Sequence, residues 1–122
     1  MRRTTLLWML CIAGCGGGYG TGTPTPSDYD VMRETLRDYL SAQEVYYSQH
    51  ETYTSNVADI VVASERARIE ILTADERGHA AVISHEDNAD AGCAVFVGNV
   101  APPSTPGGRV AEREGVVTCD EP

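Results

Sequence analysis

The sequence predicts an α+β fold, with one N-terminal amphipathic helix packed on a small antiparallel sheet of three to four strands. Two observations lead to this prediction. Apolar and aromatic residues first recur at steps of three and four over residues 28–50, which is the spacing of one helix face. Short apolar segments, separated by polar and glycine-containing turns, then fill residues 68–119. A helix followed by a run of strands favours a helix laid on an antiparallel sheet.

The helix is predicted to begin after Ser27 and to run to about His50. Ser27 is the expected N-cap, because its hydroxyl can accept a hydrogen bond from a free backbone N–H of the first turn. Asp28 and Asp30 lie in that turn, where the positive end of the helix dipole stabilises carboxylates. The face toward the sheet is expected to carry the apolar and aromatic side chains Tyr29, Met32, Leu36, Tyr39, Leu40, Tyr46 and Tyr47.

Tyrosines are concentrated in this helix and just after it. Tyr39, Tyr46 and Tyr47 belong to the helical repeat, and Tyr53 lies in the connector that follows. These four rings form a candidate interaction face, because tyrosine combines an apolar ring with a polar hydroxyl. The alternative is that the rings pack on the sheet while their hydroxyl groups remain at its solvent-exposed edge.

The second half of the chain is predicted to form the sheet. Residues 68–71 alternate, which places Ile69 and Ile71 on one face of a strand. Gly78 can take the positive φ of a tight turn, so residues 75–78 are predicted to be a turn. The remaining segments follow in order: strand 80–85, polar turn 86–92, strand 93–97, loop 102–108, and a strand or extended tail over 116–119.

The first fourteen residues have the features of a secretory signal peptide. Arg2 and Arg3 supply the positive start, and an apolar run over residues 4–13 follows them. A helix needs roughly 20 apolar residues to cross a bilayer, so this run is too short to be a membrane span.

The apolar run ends in Ile12-Ala13-Gly14-Cys15, which resembles the lipobox of bacterial lipoproteins. In that family the cysteine thiol receives a diacylglycerol, and the chain is then cleaved directly before the cysteine. The resemblance implies a signal peptide over residues 1–14 and lipidation of Cys15. It also implies the outer membrane, because a glycine rather than an aspartate follows the cysteine. The alternative is an ordinary secretory signal with a chance cysteine.

The rest of the chain is predicted to be a tether and one domain. Residues 15–27 comprise the acylated cysteine and a flexible stretch in which glycine, threonine and proline leave almost nothing to bury. Residues 28–122 form the globular domain, which the tether holds away from the membrane surface.

The chain has four cysteines, which allow three full pairings. If Cys11 leaves with the signal peptide and Cys15 is acylated, Cys93 and Cys119 remain in an oxidising compartment outside the cytoplasm. We therefore predict that these two residues form a disulfide that closes the domain.

The helix carries a second resemblance. Residues 36–47, LRDYLSAQEVYY, followed by Glu51-Thr52-Tyr53, resemble the end of the long helix in type IV pilin-like proteins and secretion pseudopilins. This resemblance implies a helix on an antiparallel sheet, with a cysteine pair closing the C-terminal region, where Cys93 and Cys119 lie. It also implies a link to a type IV pilus or a type II secretion system. The chain departs from pilins at its start, where a lipobox and a glycine tether replace the prepilin leader and the apolar half-helix.

The residues that carry reaction chemistry are sparse. His79 and His85 lie six residues apart on one predicted strand, close to three acidic residues, so a metal site is one interpretation and a solvated hairpin is the other. No metal or cofactor is predicted. The chain has no nucleophile elbow, phosphate loop or dinucleotide fingerprint, so no enzyme activity is expected. A net charge of −9 repels nucleic acid phosphates, which argues against a nucleic acid partner.

These features predict a lipid-anchored protein of the cell envelope with a structural or interaction role. Its expected partners are the membrane, through the N-terminal lipid, and envelope proteins of a pilus or secretion system. The alternative function is a module, exposed in the periplasm or at the cell surface, that binds a small ligand or a metal ion.

Overall fold

The computed structural model describes residues 24–60 and 67–122 as one helix packed on one antiparallel sheet. The strands are hydrogen-bonded in chain order, β1-β2-β3-β4, and this arrangement confirms the predicted fold class. The predicted signal peptide, Cys15 and the glycine part of the tether lie outside the described residues. The elements are α1 (Pro26–His50), a 3-10 turn (Val57–Asp59), β1 (Ala67–Asp75), β2 (Gly78–His85), β3 (Asn88–Gly98) and β4 (Thr118–Cys119).

The helix begins two residues earlier than predicted, because Thr25 and not Ser27 is its N-cap. The Thr25 hydroxyl accepts a hydrogen bond from the Asp28 N–H, and the Asp28 carboxylate accepts one from the Thr25 N–H, at 2.8 Å. Pro26 occupies the first helical position, where its fixed φ suits the helix and its missing N–H costs nothing. The prediction that residues 26 and 27 belong to a flexible tether was therefore wrong.

The first three strands extend further than the sequence pattern indicated. The turn predicted over residues 75–78 is confirmed as a two-residue hairpin connection, with Asp75 opposite Gly78. The positive φ expected at Gly78 was wrong, because this residue has an ordinary strand conformation. The polar turn predicted over residues 86–92 was wrong, because β3 begins at Asn88. The first three residues of β3 reach solvent at the end of the sheet, so polar side chains are compatible with a strand there.

The fourth predicted strand is real but short. Thr118 and Cys119 pair with Ala94 and Cys93, so the two cysteines lie directly opposite each other on neighbouring strands. They form the predicted disulfide, which joins positions 26 residues apart in the chain.

The sheet is covered on both faces except along β1, whose residues are exposed or only partly buried. On one face, α1 and the strands enclose the main core, in which Met32, Leu36, Ile83 and Val95 are almost completely buried. On the other face, the long loop between β3 and β4 packs over the sheet, and a small cluster forms around Phe96.

One carboxylate, that of Asp120, fastens the long loop to the sheet. It accepts hydrogen bonds from the Gly92 N–H at 3.0 Å, from the Gly107 N–H at 2.9 Å and from the Thr105 hydroxyl. Next to it, Arg33 of α1 donates to Glu121 at 2.5 Å, so the C-terminal residues are held against the first turns of the helix. In residues 24–60 and 67–122, no helix has the length and apolar character that a membrane span requires.

Candidate functional site

The four tyrosines of the candidate interaction face separate into one buried ring and three partly exposed rings. Tyr39 is completely buried on the face of α1 that packs on the sheet, so its assignment to an interaction face was wrong. The helical repeat places it over the middle of the sheet, where no solvent reaches the side chain. Tyr46, Tyr47 and Tyr53 are partly exposed at the C-terminal end of α1.

The buried Tyr39 forms a hydrogen bond with His79 on β2. The Tyr39 hydroxyl lies 2.6 Å from His79 Nδ1, and the two rings meet edge to face. Burial raises the pKa of the Tyr39 hydroxyl, so it keeps its proton and donates to the histidine. The neutral His79 ring then carries its own hydrogen on Nε2.

The His79 ring is held in a dry environment. Its side chain is 0% exposed, and among the described residues Nε2 has no hydrogen-bond partner. The Tyr53 ring packs against it with the ring centres 4.4 Å apart. Burial lowers the pKa of His79 to about 4, because a charged ring here would lose its hydration without gaining an opposite charge.

Gln43 extends this buried network from the helix to the connector. Its amide nitrogen donates to the Thr54 carbonyl at 2.8 Å, and its amide oxygen accepts from the Thr54 N–H at 3.0 Å. The same nitrogen lies 3.3 Å from the Tyr39 hydroxyl. The Gln43 amide therefore satisfies both backbone hydrogen-bonding groups of Thr54, as a neighbouring strand would. It also positions the connector that carries Tyr53.

We expect Gln43→Ala to lower the free energy of unfolding by about 3 kcal/mol, because two buried backbone groups of Thr54 lose their partners. Urea unfolding followed by circular dichroism measures this loss. Gln49→Ala is the matched control, because Gln49 lies exposed on the same helix and its removal should cost less than about 0.5 kcal/mol. Equal losses for the two variants would contradict the role of Gln43.

Above this network lies a partly exposed cluster, the aromatic rim, which consists of Tyr46, Tyr47, His50 and Tyr53. The rings form two pairs: Tyr46 stacks on His50 with ring centres 4.0 Å apart, and Tyr47 lies tilted against Tyr53 with ring centres 4.6 Å apart. The Tyr53 hydroxyl donates to Glu44 at 3.0 Å. Burial, followed by the neighbouring Glu44 carboxylate, raises the pKa of Tyr53 to about 12, so the Tyr53 hydroxyl keeps its proton at neutral pH.

An open groove adjoins the rim. It has a volume of about 290 Å³ and runs between the last turns of α1 and the 3-10 turn. Apolar atoms of Val45, Tyr46 and Ile60 line most of it, and Asp59 and Gln49 supply polar atoms. The rim and this groove together form an aromatic and apolar surface with polar groups at its border.

His79 and His85 are not brought together as a metal site. They lie at opposite ends of β2, and six residues of a strand span about 20 Å. His85 accepts a hydrogen bond from the Asp87 N–H through Nδ1, and its Nε2 lies 3.5 Å from an Asp28 carboxylate oxygen. Both histidines are buried, so the solvated-hairpin interpretation was also wrong. In the described part of the chain, no group of three or more metal-ligating side chains is assembled.

Comparisons with known proteins do not identify a relative whose function could be compared with this geometry. No protein-family model matches the chain, and a search of curated proteins finds no match either. The aromatic rim and the buried network below it are the features of the described residues that most need a functional explanation.

Proposed function

We propose that the chain is a lipid-anchored protein of the cell envelope whose pilin-like domain presents the aromatic rim to a protein partner. The observation that carries this proposal is the placement of the rim at one end of α1, while the chain enters the domain at the other end. A helix of 25 residues is about 38 Å long, so an anchor attached before Pro24 leaves the rim unobstructed.

The anchoring part of the proposal rests on the lipobox resemblance at Cys15. A basic start and a short apolar run precede this cysteine, and glycine and proline separate it from the domain. Several acyl chains on one residue hold a protein at a membrane firmly, because each buried CH₂ contributes about 0.8 kcal/mol. The glycine after the cysteine favours the outer membrane.

The interaction part of the proposal rests on the chemistry of the rim. The tyrosine rings of the rim offer large contact areas and lose little conformational entropy on binding. Their hydroxyl groups can form hydrogen bonds with a partner's backbone, as they do at many interfaces. The buried network supports a rigid rim, because Gln43 and His79 fix the connector and the ring of Tyr53 from below.

The resemblance of residues 36–53 to pilins and pseudopilins suggests the partner class. A helix on an antiparallel sheet with a cysteine pair near its C-terminal end is the arrangement that this resemblance implies. We therefore propose envelope components of a type IV pilus or a type II secretion system as partners of the rim.

Intact mass spectrometry of the protein from isolated membranes tests the anchor, with the wild type compared to Cys15→Ala. The expected wild-type species begins at Cys15, carries acyl chains, and lacks two protons because of the disulfide. Cys15→Ala should leave the membrane fraction. An unacylated wild-type chain would overturn the lipoprotein proposal and leave a secreted domain.

Photo-crosslinking in living cells tests the rim, with the crosslinking residue placed at Tyr47. Glu34 is the matched control site, because it is exposed on the same helix far from the rim. Adducts from Tyr47 alone, containing a pilus or secretion component, are the expected result. Equal adducts from both positions, or none from Tyr47, would contradict the proposed role of the rim.

A further inference from the structure

β1 is a long edge strand of the sheet. It has nine residues, and within the described part of the chain its only strand partner is β2. The opposite edge differs, because β4 contains only Thr118 and Cys119. A long edge strand presents backbone N–H and C=O groups that can pair with another strand.

The core is incomplete beside this edge. Ile69 and Ile71 point toward the helix but are only partly buried. Their direct neighbours on β2, Ile83 and Ala81, are completely buried, as are the residues that follow on β3. A further strand beside β1 would remove the remaining apolar surface of the two isoleucines from water.

The charges of β1 are arranged for pairing with an identical strand. Arg68 and Glu70 flank Ile69 on the opposite, exposed face, and among the described residues no ion pair engages either of them. Residues opposite each other in an antiparallel pair both point their N–H groups toward the partner or both away from it. When two identical strands pair across a two-fold axis, the axis therefore passes between two copies of the same residue. It does not pass between two copies of the same peptide bond.

Only one such centre matches the charges. Pairing about Ile69 places Arg68 of each copy opposite Glu70 of the other, and it places the two Ile69 side chains together. Pairing about Arg68 or Glu70 would bring like charges together, and pairing about Ile71 would leave Glu70 opposite Leu72. The β-bulge between Ile71 and Thr73 then limits the paired segment to residues 67–71.

We propose that β1 is the interface of a homodimer, in which two copies of this chain pair antiparallel about Ile69. The four-stranded sheets join into one continuous sheet across a two-fold axis. Two Arg68–Glu70 pairs lie on its outer face, and the Ile69 side chains extend the core on the helix side. The inference uses only residues of β1 and does not depend on the proposed anchor or on the aromatic rim.

Charge reversal tests the register, using the full chain in a mild detergent and sedimentation velocity over a range of concentrations. Arg68→Glu and Glu70→Arg should each raise the dimer dissociation constant by about tenfold, because two attractive cross-strand pairs become repulsive. The double variant Arg68→Glu/Glu70→Arg should restore the wild-type dissociation constant. Arg37→Glu is the matched control, since Arg37 is exposed on α1, and it should leave the dissociation constant unchanged.

A cysteine at the two-fold axis gives an independent readout. Ile69→Cys should form a covalent dimer under oxidising conditions, and mass spectrometry should identify a peptide linked to itself at position 69. The same substitution at Val45, which is 59% exposed on α1, should not give this product. A chain that is monomeric at every concentration would overturn the proposal. So would a dimer that ignores the charge reversals, or crosslinking of Ile69→Cys only to a different protein.

Discussion

Replacing Cys93 and Cys119 together by alanine is expected to lower the free energy of unfolding by about 3.5 kcal/mol, since the bond closes a loop of 26 residues. The bond also holds β4, which pairs through only two residues and has little strength of its own. Once β4 separates, the adjacent Asp120 can no longer fasten the long loop over Phe96.

Chemical denaturation with and without a reductant measures this effect. Reduction should remove most of the difference in unfolding free energy between the wild type and the double alanine variant. The variant itself should not respond to the reductant. A loss below about 1 kcal/mol in both experiments would show that the bond contributes little and that the noncovalent contacts of Asp120 and Glu121 hold the C-terminal region.

Lowering the pH from 7 to 4 is expected to reduce the free energy of unfolding by about 3 kcal/mol through His79 alone. The pKa of this ring is about 4 in the folded protein and near 6.5 in the unfolded chain. Between these values the unfolded chain binds more protons than the folded one, so stability rises with pH. The stabilisation is complete above about pH 6.5 and is lost as the pH falls toward 4.

The comparison of wild type with His79→Gln separates this effect from the titration of the carboxylates. A glutamine can still accept a hydrogen bond from the Tyr39 hydroxyl, but it does not bind a proton in this range. Urea midpoints measured at several pH values should converge for the two proteins as the pH falls from 7 to 4. Parallel curves would contradict the assignment of a dry, neutral His79.

The elements with strong local patterns could be predicted from the sequence. The repeat of three and four residues identified α1, and the cysteine count together with the predicted signal peptide identified the disulfide partners. The helix start was missed because Thr25 and Ser27 are both suitable capping residues, and the proline between them favours Thr25. The start of β3 was missed because its first residues are polar, which is acceptable only at the exposed end of a sheet.

The site was harder to predict, because it depends on contacts between distant parts of the chain. Periodicity placed Tyr39, Tyr46 and Tyr47 on one helix face, but it does not tell which rings overlie the sheet and which extend past it. The only hint of the buried network was Gln43, a polar residue in an apolar position of the repeat. Its partner Thr54 lies in a connector whose path only the tertiary structure determines.

The disulfide also changes what a protease can do to the domain. Cys93 and Cys119 close a covalent ring that contains the whole loop between β3 and β4, including the exposed Arg109 and Arg113. A cut at either arginine leaves two fragments that stay covalently joined, and Asp120 still binds Gly92 on β3. The cleaved domain would persist as a two-chain protein, one band on a gel until the bond is reduced.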